Sequence, residues 1–338
     1  MPRVLPIDAE RPDPAVIAEA AAVLRSGGLV AFPTETVYGL GARGLHGDEV
    51  AKIFAAKGRP PNHPLILHVP DELSASAIAS VWSETASRLA GAFWPGPMTL
   101  VVPRRASVPD LVSAGLPTVG IRVPAHPVAH ELVRAAGEPI AAPSANAHMH
   151  VSPTTAEHVV RSLGDAVDLV LDAGPCEHGI ESTVVDASVD PPRVLRPGAL
   201  GLDALRSVVP AIAYRAETAL PEAARASPGL ASRHYAPRGV VVEARGPEGI
   251  AAAVTGAVGS GARVGALTWS PEARESASVS GAHAVRALPP DAVGFARDLF
   301  GALYALEADR CDVIVVEAVP DAPAWWAVAD RLRRARAG

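Results

Sequence analysis

The stretch Leu29-Val30-Ala31-Phe32-Pro33-Thr34-Glu35-Thr36-Val37-Tyr38-Gly39 is where the fold first becomes readable. Four apolar residues in a row, closed by a proline, read as a buried strand. Polar residues follow at once, as in loops that a rigid sheet holds out and where sites tend to be placed. Upstream, Pro14 to Ser26 has helical spacing, with Val16, Ile17, Ala20, Val23 and Leu24 on one face and Gly27-Gly28 as the stop. Downstream, a second helix spans Asp48 to Ala56 and gives out at Gly58 and Pro60.

Further short strands are expected at 65–69, 98–102, 119–123, 140–142, 169–171, 183–185 and 194–195, with helical patterns near 84–91, 126–136 and 154–163. Mixed strands and helices with short loops indicate an α/β sheet domain over residues 1–208. Residues 209–238 read as a linker rich in Ala, Pro, Ser and Arg, closing in the cluster Arg233-His234-Tyr235-Ala236-Pro237. Strands at 239–243, 263–268 and 312–317 then alternate with helices near 247–257, 291–306 and 324–335. That pattern predicts a small C-terminal α/β domain over 239–338 with a parallel sheet.

Composition narrows the function classes. The 338 residues carry 30 basic and 36 acidic side chains, a formal net charge of −6, and 49% are apolar, which suits a packed core and not disorder. Two cysteines, Cys176 and Cys311, are too few for a disulfide framework or a cysteine zinc site. With no apolar leader and no run of about 20 apolar residues, a cytoplasmic protein that spans no membrane is expected. Residues 1–205 hold 15 basic and 22 acidic groups, a net −7 that argues against nonspecific nucleic-acid binding. The tail Arg331, Arg333, Arg334, Arg336 reads as a solvated helix end. Only two of the basic residues, Lys52 and Lys57, are lysines.

Chemistry gathers in loops after strands. Lys57 and Arg59 stand two apart in Lys57-Gly58-Arg59-Pro60-Pro61-Asn62-His63-Pro64, which suits a phosphate or carboxylate, though a helix C-terminus also attracts cations. A buried strand delivers Ser144 and Asn146, again two apart. Arg122 interrupts an apolar strand and needs an anionic partner, with Glu131 and Glu138 as nearby acids. Gly179-Ile180-Glu181-Ser182-Thr183 and Arg196-Pro197-Gly198 complete the set. There is no Walker-type loop, no G-x-G-x-x-G that opens a helix and no G-x-S-x-G elbow, and His148 and His150 adjoin no carboxylate cluster.

Taken in order, PTETVYGLGA, KGRPPNHPLILHV, FWPGPMTLVV, GIRVPAHP, APSANA, SPTTAEHV, GIESTVVD and VLRPGAL resemble the L-threonylcarbamoyladenylate synthase family over nearly all of residues 15–200. The linker and small domain resemble its long, two-domain form. The resemblance implies a twisted, open mixed α/β sheet of the YrdC-like kind, followed by a small Rossmann-like α/β domain. It implies formation of threonylcarbamoyl-AMP and pyrophosphate from L-threonine, bicarbonate and ATP, for the threonylcarbamoyladenosine modification of tRNA.

By matching positions, the resemblance assigns Lys57, Arg59, Ser144 and Asn146 to catalysis. It assigns Thr36, His68, Arg122, Ala142 and Ser182 to threonine, with Arg122 pairing the carboxylate. Arg59, His63, Thr118, Ser144, Ser152, Arg196 and Tyr235 fall to the nucleotide, and Ser227–Pro237 to a lid. Mg²⁺ carried by the ATP phosphates, a downstream tRNA threonylcarbamoyl transferase and a weak RNA contact are also implied. The chain departs from the family pattern at His148-Met149, where a small residue and Gly are usual, and at Pro228-Gly229-Leu230-Ala231, which lacks a lysine.

Overall fold

A computed structural model describes residues 2–214 and 234–336, which divide into two compact units. Residues 2–148 and 152–214 belong to the first; residues 149–151 and 234–336 belong to the second.

The first unit contains strands β1 (Arg3–Pro6), β2 (Val30–Phe32), β3 (Gly39–Arg43), β4 (Ile66–His68), β5 (Met98–Pro103), β6 (Thr118–Arg122), β7 (Ile140–Ala141), β8 (Leu169–Asp172), β9 (Thr183–Asp186), β10 (Arg193–Arg196) and β11 (Ala213–Tyr214). They form one 11-stranded mixed sheet in the order β1-β8-β2-β3-β7-β4-β6-β5-β9-β10-β11. Its helices are α1 (Pro14–Arg25), α2 (Gly47–Lys57), α3 (Glu72–Ile78), α4 (Glu84–Phe93), α5 (Asp110–Ser113), α6 (Pro127–Ala136), α7 (Ala156–Leu163) and α8 (Leu202–Val208).

Strand β2 is apolar throughout because both its faces are covered. Val30 and Phe32 pack with Ile17, Ala20 and Leu24 of α1 and with Val128 and Leu132 of α6. Ala31 faces the opposite core, with Val50 and Ile53 of α2. The expected helix at 14–26 is α1, capped by Asp13, whose side chain accepts from Ala15 N.

Strand β3, of sequence GLGAR, carries no strand signal, yet it pairs with both β2 and β7. A Cβ on Gly41 would lie 2.8 Å from Phe32 and 2.9 Å from Ile140, so close packing excludes a side chain there. The sheet also runs past the 208 boundary expected from composition, because β11 pairs in parallel with β10, Arg193 beside Ala213.

The second unit contains β12 (Val240–Ala244), α9 (Gly246–Gly259), β13 (Val264–Thr268), α10 (Pro271–Val279), β14 (Ala284–Ala287), α11 (Ala292–Ala308), β15 (Val313–Glu317) and α12 (Trp326–Arg336). Its sheet is wholly parallel, ordered β12-β15-β13-β14. Ile250 and Val254 of α9 and Ala273 and Ala277 of α10 pack on Val264, Ala266 and Val315.

The basic tail departs from its expected solvated role. Asp330 is buried and draws in Arg331 (3.0 Å), Arg333 (2.6 Å) and Arg334 (3.0 Å). The Arg331 side chain is wholly buried and sits 5.0 Å from the centre of the Tyr235 ring. An acid one, three and four residues before these arginines converts a surface stripe into an internal ion cluster.

Candidate active site

Helix α2 ends at Lys57 because Gly58 adopts φ 61°, a left-handed cap. The turn buries Lys57 and aims its ammonium at the next loop of the site. Nζ donates to the main-chain carbonyl of Ser144 at 2.5 Å and also to that of Asn146. His148 N returns a bond to Lys57 O at 2.8 Å. Burial, with the positive charge of Arg59 added, pushes the Lys57 pKa well below its ordinary value. Arg59 Nη2 donates to Pro64 O at 3.0 Å, and the His63 ring meets His148 edge-on, 5.1 Å between centres.

Arg122 lies at the end of β6, beside His68 of β4 in register. Its guanidinium is buried. Nε donates to Gly96 O at 3.2 Å, Nη1 donates to Thr36 Oγ1 at 2.9 Å, and Nη2 makes a 2.7 Å ion contact with Glu35 Oε1. The anionic partner is thus Glu35, while Glu138 pairs with Arg43 and His46, and Glu131 is exposed. Burial alone would raise the Glu35 pKa, but the Arg122 charge holds it below the usual value. Burial and the Arg122 charge push His68 down to about 3, so its ring is neutral.

The segment from Thr34 to Leu40 ties the Lys57 and Arg122 groups together. Thr34 Oγ1 donates to Val37 O at 2.6 Å and bonds Thr36 Oγ1 at 2.8 Å. Ala145 N donates to Tyr38 O, and Leu40 N to Pro143 O, both at 2.8 Å. Ala142, small and buried, is bonded through its N–H to Ile66 O.

A third group joins the starts of β5 and β9. Ser182 Oγ shares a 2.8 Å bond with Thr99 Oγ1, and Arg196 Nη2 donates to Ser182 O at 2.9 Å. Ser152 Oγ donates to Glu181 Oε1 at 2.5 Å. Ala199 N reaches Glu181 O at 3.1 Å, so the turn after β10 docks on this loop.

The expected residues therefore fall into place unevenly. Lys57, Ser144 and Asn146 share hydrogen bonds, as do Thr36 and Arg122, with His68 alongside, and Ser182 and Arg196. Thr118 stands four residues before Arg122 in β6, about 13 Å along the strand and opposite Pro103. Tyr235 belongs to the second unit, buried, with its ring stacked on Phe300 at 5.7 Å. Of the expected lid, Ser227 to Arg233 lie outside the described residues. Glu35, Thr99 and Glu181 were not singled out in the sequence. For Glu35 a signal exists: a lone Arg in an apolar strand demands a buried acid, and Glu35 sits in a segment of otherwise neutral polar residues.

Comparisons with known proteins agree with this architecture. A family profile described as "Telomere recombination" matches residues 22–198, and one described as "Threonylcarbamoyl-AMP synthase, C-terminal domain" matches residues 201–337. Threonylcarbamoyl-AMP synthase of Pyrococcus abyssi is 39% identical over 328 residues, 94% of this chain and 92% of the relative. That of Bacillus subtilis is 39% identical over 326 residues, 95% and 93%. The crystal structure of P. abyssi Sua5 complexed with L-threonine superposes with a TM-score of 0.90 at 37% identity, covering 98% of this chain and 97% of that one. Likeness of this extent in both units, and not in the sheet alone, settles the family: the chain belongs to the threonylcarbamoyl-AMP synthases, in their long two-domain form.

Proposed function

We propose that this chain is a nucleotidyltransferase that condenses L-threonine, bicarbonate and ATP into threonylcarbamoyl-AMP, releasing pyrophosphate and water. The observation that carries the reading is the near full-length likeness to a relative whose structure holds L-threonine. Its product would pass to a tRNA threonylcarbamoyl transferase in the cytoplasm, with at most a weak RNA contact of its own.

The threonine carboxylate is assigned to Arg122. A guanidinium has five N–H groups: Gly96 and Thr36 each accept one, and Nη2 meets Glu35 in an ion contact without a hydrogen bond of good geometry. At least one N–H on each terminal nitrogen remains for a carboxylate. Thr36, His68, Ala142 and Ser182 wall the same pocket in this reading. Neutral His68 can accept a hydrogen bond without adding a second positive charge.

Within the first unit the nucleotide is assigned to Arg59, His63, Thr118, Ser144, Ser152 and Arg196. Threonine becomes a carbamate, and that anion must approach an anionic α-phosphate. Lys57 and Arg59 lower the repulsion between them, and positioning supplies most of the rest. Lys57 also fixes the loop that presents Ser144 and Asn146. Mg²⁺ suits this site as a companion of the ATP phosphates, where it would screen their charge. Among the described residues no three His, Cys, Asp or Glu side chains gather to hold a metal, and the nearby acids Glu35 and Glu181 are engaged by Arg122 and Ser152.

Pyrophosphate release from ATP tests the reading. It should require threonine and bicarbonate together and fall to background when either is left out. Release that continues without threonine argues for another reaction.

A further inference from the structure

We propose that Glu35 receives the α-ammonium group of the amino-acid substrate and so makes the pocket select an amino acid over the same acid without its amino group. The inference rests on the assignment of the substrate carboxylate to Arg122. It starts from a side chain that is only 4% exposed and sits beside that guanidinium at 2.7 Å. Residue 35 is rigidly placed: its carbonyl accepts from His178 N at 2.8 Å, and the Thr34–Val37 turn holds it on both sides.

A fixed covalent distance ties the two charged ends of the substrate together. In any α-amino acid, ordinary bond lengths and angles put the nitrogen about 2.5 Å from the carboxyl carbon. A carboxylate seated on the remaining N–H groups of Arg122 therefore brings its ammonium into the immediate surroundings of Glu35. A carboxylate can accept about four hydrogen bonds. Neither oxygen of Glu35 completes one of good geometry with a described donor, although the amides of Ala125 and of Glu35 itself face the group. Acceptor capacity is thus available where the ammonium must fall.

Charge balance points the same way. Glu35 and Arg122 sum to zero, and a zwitterion entering between them keeps the buried pocket neutral. A ligand with only a carboxylate leaves a net negative charge there, which low-dielectric surroundings oppose. The Cys176 thiol, close enough to sense both charges, is pushed up by burial and adds no anion. Once the nitrogen carries a carboxyl group it is no longer cationic, so Glu35 then repels the carbamate it admitted as an ammonium.

Calorimetry on the full chain with L-threonine and (R)-3-hydroxybutyrate, which is threonine without its amino group, tests this directly. The unaltered chain should bind threonine at least about tenfold more tightly. In Glu35→Gln, threonine should weaken about tenfold or more while hydroxybutyrate holds or improves, so that the preference collapses. If Glu35→Gln does not fold, Glu35→Asp retains the charge one carbon further back. Its preference should then shrink, again through threonine alone. An unchanged ratio of the two affinities in the folded variant overturns the role of Glu35. An unaltered chain that binds neither ligand overturns the substrate assignment beneath it, a separate and distinguishable failure.

Discussion

Lys57 Nζ bonds the carbonyl oxygens of Ser144 and Asn146, so the two cation- and hydroxyl-bearing loops of the site are held by one buried ammonium. The hydrogen bonds make Lys57 the anchor of that loop, and the proposed reaction adds a second duty, charge for the phosphates. Lys57→Ala should lose most of its pyrophosphate release, and Lys57→Arg should not restore it, because a planar fork does not occupy the position of a compact ammonium. Turnover of the alanine variant near that of the unaltered chain, at equal melting temperature, would remove Lys57 from the mechanism.

The depressed pKa of Lys57 has a proton consequence. Its folded value lies below its unfolded value, so the unfolded chain binds more protons between the two, and stability contributed by this group rises with pH across that window. An anion beside Lys57 favours the charged form and raises its pKa. ATP binding should therefore take up protons at pH values between the folded value of Lys57 and its ordinary one, seen as calorimetric heats that depend on the buffer's ionisation enthalpy. Equal heats in all buffers for the unaltered chain and Lys57→Met would contradict this.

Arg122→Ala should raise the KM for threonine far more than that for ATP. It also leaves the Glu35 carboxylate buried without its counter-charge, a loss of about 3–5 kcal/mol at neutral pH. The sign of the pH dependence should reverse at this group. In the unaltered chain Glu35 lies below its ordinary value, so its contribution is full above that value and is lost as pH falls through the folded one. Without Arg122, burial dominates and raises the pKa, so the variant should gain stability relative to the parent on acidification. Urea unfolding at pH 5 and pH 8 checks it; a deficit that is equal at both would refute the pairing.

The first sheet was legible where strands are buried on both faces, as at Leu29 to Phe32, because an unbroken apolar run has few other readings. Strand β3 was not, since Gly41 serves packing against Phe32 and Ile140, and a contact between distant segments leaves no local signal. Arg122 was legible as a residue in need of an anion, and its partner was not, because Glu35 lies 87 positions away and pairing follows from topology. Lys57 stood out only against a background of 28 arginines. The solvated reading of the C-terminal arginines missed that Asp330 is buried among them. Sequence spacing shows which charges share a helix but not which face is covered.

That ion cluster carries its own prediction. Burial opposes the charge of Asp330, yet Arg331 and Arg334 hold its pKa below the ordinary value. Asp330→Ala should destabilise the second unit by about 3–5 kcal/mol, because three guanidinium groups lose their shared acceptor. In the unaltered chain the contribution is present above the unfolded pKa and is lost as pH falls through the folded one. Hydrogen exchange of the α12 amides reads the change, and protection unchanged from that of the parent would rule it out.

His68 is neutral down to about pH 3, so no imidazole titration at this position should modulate threonine affinity between pH 5.5 and 8. NMR of the imidazole resonances, with threonine affinity followed in parallel, tests it. A His68 midpoint near 6.5 would show that the ring is more solvated than its burial implies.

In the proposed reaction this chain joins bicarbonate carbon to threonine and then to AMP. The most direct measurement supplies ¹³C-bicarbonate, L-threonine and ATP and determines the mass of the nucleotide product. A threonylcarbamoyl-AMP carrying one labelled carbon, absent in Lys57→Ala, is the predicted result. AMP or pyrophosphate formed with no labelled threonine adduct, at any time short enough to precede hydrolysis, would rule this reaction out.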